Sequence, residues 1–67
     1  MSGEPVKRAI YLNGVDTGLG AFSRNGAVAI MVNLLKRRGH LHVTEERVWS
    51  GYSTSKGRVD FTWPVTQ

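Results

Sequence analysis

The sequence predicts an α+β fold: an N-terminal β-hairpin, one central amphipathic-to-apolar helix, and C-terminal antiparallel strands that form one small sheet. Three observations predict it. Asn13-Gly14 stands between apolar segments, a helix-period stripe runs from Val28 to Leu35 between a start and a stop signal, and Arg58 to Trp63 alternates apolar and polar.

The hairpin comes first. Residues 1–5 are small and polar, broken by Gly3 and Pro5, and read as a flexible start; residues 6–67 read as one domain. Ala9-Ile10-Tyr11-Leu12 suits a strand, and Asn13-Gly14 supplies the two positive φ angles of a type I′ turn. That register sets Leu12 opposite Val15 and Ile10 opposite Thr17. A rival register turns at Asp16-Thr17-Gly18, with Gly18 in the left-handed position of a longer loop. Both place a hairpin over residues 7–22.

The helix follows. Ser23 is a suitable N-cap, because its hydroxyl can accept from a free amide of the first turn. From Arg24 to Arg38, Val28, Met31, Val32 and Leu35 recur at i, i+3, i+4 and i+7. Lys36-Arg37-Arg38 brings positive charge to the negative end of the helix dipole, and Gly39 is placed to end the helix in a left-handed conformation. Ala27, Ile30 and Leu34 widen the stripe, Ala29 lies behind it, and Asn33 is the one polar side chain between Asn25 and Lys36. An arc wider than one sheet needs predicts a second docking face around Ala29, Ile30, Asn33 and Leu34, and with it a homo-oligomer or a protein partner.

Strands are expected after Gly39. His40-Leu41-His42-Val43 alternates with Leu41 and Val43 inward, Val48 to Ser53 carries Trp49 and Tyr52, and Ser53 to Gly57 reads as a loop. In the last strand Val59, Phe61 and Trp63 point inward, and Pro64 ends the pairing. An alternative makes Thr44 the N-cap of a short second helix with Glu45 and Glu46 in its first turn, cut short by Gly51. That order resembles a winged-helix reader of nucleic acid.

Composition narrows the function. With 67 residues and no cysteine, disulfides and Cys-based zinc sites are excluded, and a single core is only just sufficient. No apolar run nears the roughly 18 residues that span a bilayer and the first residues carry no signal-peptide pattern, so a protein off the membrane, cytoplasmic by default, is expected. Nine Lys and Arg against five Asp and Glu, a formal charge of +4, favour anionic partners.

Candidate chemistry is sparse. Asp16-Thr17-Gly18, preceded by Val15, resembles the catalytic triplet of aspartic proteases. However, Leu19 stands where that family has a small residue, and the chain is shorter than half of such an enzyme; turn chemistry accounts for the triplet. Gly18-Leu19-Gly20 lacks the third glycine of a dinucleotide fingerprint, since position 23 is Ser23, and reads as a bulged edge strand. His40 and His42 are too few to hold a metal. No catalytic residue, metal or cofactor is expected, and an enzymatic cleft would need more chain.

The expected function is therefore a small non-enzymatic binding protein, dimeric, that contacts nucleic acid through a basic rim. Its residues are Lys36, Arg37, Arg38, His40, Lys56 and Arg58, with Trp49 or Tyr52 for stacking. The alternative is a protein-binding module or small inhibitor of a host protein, of phage or mobile-element type, that docks through the apolar helix face or exposed aromatics.

Overall fold

The first turn of the chain sets the frame for everything after it. In the computed structural model, which describes residues 6–64, strand β1 (Arg8–Leu12) is joined to β2 (Val15–Ala21) through Asn13 and Gly14. Their φ angles of 51° and 82° are both positive, as a type I′ turn requires. The expected loose start at residues 1–5 and the last three residues of the expected domain lie outside the described residues.

Both candidate turns are used, in different ways. Leu12 pairs with Val15 and Tyr11 with Asp16, so the chain reverses at Asn13-Gly14. Ile10 then pairs with Leu19 rather than with the expected Thr17, because Thr17 and Gly18 form a bulge opposite the Ile10–Tyr11 step. The bulge is held by its own side chains. The Gly18 amide donates to Asp16 Oδ1 (2.8 Å), the Thr17 hydroxyl donates to the Ile10 carbonyl (2.7 Å), and the Leu19 amide donates back to Thr17 Oγ1 (3.3 Å). Asp16-Thr17-Gly18 is thus a structural element of the hairpin, with the carboxylate engaged in its own turn.

Helix α1 (Arg24–Arg37) begins at Ser23, whose Oγ accepts from the Gly26 amide. It ends in a Schellman arrangement. The His40 amide donates to the Leu35 carbonyl, the Gly39 amide donates to the Lys36 carbonyl, and Gly39 takes a φ of 86° that a Cβ would oppose.

The chain between residues 39 and 52 departs from expectation. No strand forms at His40–Val43, and of the strand expected at Val48–Ser53 only Tyr52 and Ser53 are extended. Positive φ at Gly39 and His42 breaks the extended run, leaving Leu41 exposed and Val43 half-buried. Thr44 then caps helix α2 (Glu45–Ser50), its Oγ1 accepting from the Arg47 amide at 3.2 Å. Local period-two alternation lost to a capping residue followed by two acids in the first turn. Strand β3 (Tyr52–Ser55) occupies most of the segment expected as a loop; only Lys56 and Gly57 form the turn into β4 (Arg58–Phe61).

The sheet is mixed, in the order β2-β1-β4-β3. The two hairpins are antiparallel as expected, but β4 lies parallel to β1, with Ile10 beside Val59 and Leu12 beside Phe61. Those four side chains are buried with Ala27, Val28, Met31 and Leu35 of α1, Val48 of α2, Ala21 and Trp63. The inward placement of Val59, Phe61 and Trp63 follows the alternation of the sequence. By the same alternation Ala9, Tyr11, Arg58 and Asp60 lie on the opposite sheet face.

Asn13 extends the parallel junction beyond the strands. Its amide donates to the Phe61 carbonyl, its Nδ2 donates to the Trp63 carbonyl (2.9 Å), and its Oδ1 accepts from the Trp63 amide (3.0 Å). A turn residue thereby acts as one more rung of the ladder and anchors Trp63 in the core. No helix among the described residues is long and apolar enough to cross a membrane.

Candidate nucleic-acid interface

All nine Lys and Arg side chains of the protein fall among the described residues, and all nine are exposed. A single ion pair is present among the described residues: Arg58 Nε lies 3.3 Å from Asp60 Oδ1. The positive charge is therefore held at the surface largely without acidic partners, where an anion can reach it.

The cations do not form one rim. Lys36 and Arg37 occupy the last turn of α1 and Arg38 its C-cap. The chain then passes through Gly39 to His40, whose ring meets Trp63 edge-on at 6.2 Å. This cluster therefore sits beside the end of β4. Arg58 begins β4 and precedes Trp63 by five residues of extended chain, about 16 Å. Lys56 and Arg58 thus belong to the opposite end of the sheet from Lys36, Arg37 and Arg38. No sequence pattern could separate these sets, because the separation depends on β4 lying parallel to β1.

The helix-end cluster borders a concavity. Gly39, His40, Leu41, His42, Arg47, Trp63 and Pro64 line a groove of about 390 Å³. A second hollow of about 340 Å³ continues from Arg47, Trp63 and Pro64 past Ser50, Gly51 and Thr62. Arg47 stands between them, its guanidinium 5.5 Å from the Trp63 ring centre while its Nη1 donates to the His42 carbonyl at 3.1 Å. The sequence offers no direct sign of this role for Arg47, since it exists only once residues 45–50 are helical.

The aromatics proposed for stacking have other neighbours. Trp49 lies 5.2 Å from Tyr52, and Tyr52 meets Phe61 edge-on at 5.7 Å, so the three form a chain from surface to core. Trp49 is 36% exposed and Tyr52 is half-buried. Of the pair, Trp49 presents the more accessible ring.

The wide apolar arc of α1 is mostly filled by its own chain. α2 brings Val48 into the core from the side where strands were expected, and Ile30, Val32 and Leu34 all pack against that core. Ala29 and Asn33 remain exposed. Ile30, Asn33 and Leu34 line a groove of about 210 Å³ with Leu19 of β2 and Arg37. Leu19 is 41% and the nearby chain residue Phe22 61% exposed.

His40 is half-buried and His42 exposed. No three His, Cys, Asp or Glu side chains gather into a metal-holding group among the described residues. Comparison with protein-family models, with curated proteins and with solved structures finds no match to this chain.

Proposed function

We propose that this protein binds nucleic acid through the cationic end of α1, where Lys36, Arg37, Arg38 and Arg47 contact phosphates and release their counterions. The observation that supports it is the exposure of every Lys and Arg side chain with one acidic pairing among the described residues. Three consecutive cations exceed what the helix dipole calls for, since a favourable charge at a C-terminus contributes only about 0.3–1 kcal/mol. Trp49 adds a stacking surface for an unpaired base, and His40 and His42 line the adjoining groove. Phosphate contacts of this kind position a strand without reading its sequence.

The test is fluorescence anisotropy of labelled single- and double-stranded oligonucleotides against the whole chain at rising salt. Binding that weakens steeply with salt supports the reading. Absence of binding at low salt to either form, with the protein folded, overturns it.

A second reading is a module that docks on another protein. It is favoured by the groove of Leu19, Ile30, Asn33 and Leu34 at the edge of the sheet, with Phe22 exposed close by in the chain. Sedimentation separates a self-association surface from the first reading: a monomer at high concentration removes a second copy as the occupant.

A further inference from the structure

We propose that Arg8, Lys56 and Arg58 form a second, separate site that takes a phosphate group, at the end of the sheet away from Lys36–Arg38. The nucleic-acid reading above supplies the source of that phosphate, a strand's backbone or terminus, while the site itself rests on its own geometry.

Three strand ends meet there. β1 starts at Arg8, β4 starts at Arg58 and β3 ends at Ser55. Ala9 pairs with Arg58 in the parallel ladder and Ser55 with Arg58 in the antiparallel one, so Arg8, one residue before Ala9, starts at the same end of the sheet as Lys56 and Arg58. With Thr54, Ser55 and Gly57 they line a hollow of about 180 Å³ that no apolar side chain enters. Small-molecule pockets run from about 300 Å³ upward, so this hollow suits a single oxyanion group held by charge and hydroxyls.

Two neighbours hold Arg58 in place. Its guanidinium lies 4.5 Å from the Tyr11 ring centre, and its Nε faces Asp60 Oδ1. The ring fixes the plane of the guanidinium, and the ion pair runs through Nε. Arg8 and Lys56 have no acidic partner within ion-pair distance among the described residues. Lys56 also holds a φ of 44°, in the left-handed region where glycine or asparagine would be easier. Three cations at one sheet end, of which only Arg58 has an acidic partner, are stabilised by an anion bound between them.

The experiment is ¹⁵N NMR of the full chain titrated with inorganic phosphate, against chloride at matched ionic strength, followed by a single-stranded oligonucleotide. The expected result is a saturable shift at the Gly57 amide and at the Arg8 and Arg58 side-chain Nε–H groups. Arg8→Gln and Lys56→Gln should each weaken it about three- to fivefold without unfolding the protein. The oligonucleotide should then move the same signals. Shifts that are linear and spread over every cationic residue, or that Arg8→Gln leaves unchanged, overturn the site. If the oligonucleotide perturbs Lys36–Arg38 and leaves Gly57 in place, the nucleic-acid reading stands and this proposal falls. If phosphate saturates Gly57 while no oligonucleotide binds anywhere, the oxyanion site stands and the nucleic-acid reading falls.

Discussion

Two side chains show how much a single residue decides here. Asn13 supplies a positive φ for the turn and two side-chain hydrogen bonds to the Trp63 backbone. Asn13→Gly keeps the turn and removes the clamp, so its cost combines the lost hydrogen bonds with the greater freedom of glycine in the unfolded chain. We expect a loss of about 1–2 kcal/mol in chemical denaturation. Tyr52 makes the opposite case. Its hydroxyl is buried with no hydrogen-bond partner among the described residues, while its ring packs between Trp49 and Phe61. Tyr52→Phe keeps the ring and removes the orphan, so stability should hold or rise by up to about 1 kcal/mol. Gly51 is required for a different reason, namely space. A Cβ there would stand 2.1 Å from the Thr62 carbonyl oxygen, and the Thr62 amide donates to the Gly51 carbonyl at 3.0 Å. Gly51→Ala must push α2 from the end of β4, at a cost of about 2–3 kcal/mol seen in the same denaturation experiment.

At the scale of elements, local chemistry identified what local chemistry controls. Asn13-Gly14, Ser23 with the Val28–Leu35 stripe, Gly39, and the Arg58–Trp63 alternation each name an element that forms where they place it. Between them, residues 40–53 carry two competing patterns. Alternation at His40–Val43 favours a strand, but positive φ at Gly39 and His42 breaks the extended backbone that a strand needs. Thr44 and the acids after it won, and α2 covers the part of α1 that an all-strand C-terminus would have left open. Thr44→Ala should therefore cost about 1 kcal/mol and loosen α2 selectively, read as faster amide exchange at Arg47 and Val48 than at Met31. The parallel placement of β4 was not legible at all. Pairing between strands so far apart in sequence is a property of the assembled sheet, and no residue near Arg58 encodes its neighbour.

Seven of the nine cations lie at two ends of a four-stranded sheet, four at the end where α1 stops and three at the end where β4 starts. Lys36, Arg37, Arg38, Lys56 and Arg58 stand out in the sequence as one basic rim, whereas Arg8 and Arg47 do not. Their division into Lys36–Arg38 with Arg47 at one end, and Arg8, Lys56 and Arg58 at the other, required the fold. Two separated cationic ends allow one strand to be held at two points, or two strands to be bridged. The most direct measurement is the slope of log affinity against log salt for a single-stranded oligonucleotide, in the unaltered protein and in Lys36→Gln/Arg37→Gln/Arg38→Gln. Each lost phosphate contact should reduce the slope by about 0.7. We predict a slope shallower by about 2 in the triple variant, with its thermal unfolding little changed. An equal slope in the two proteins would contradict it.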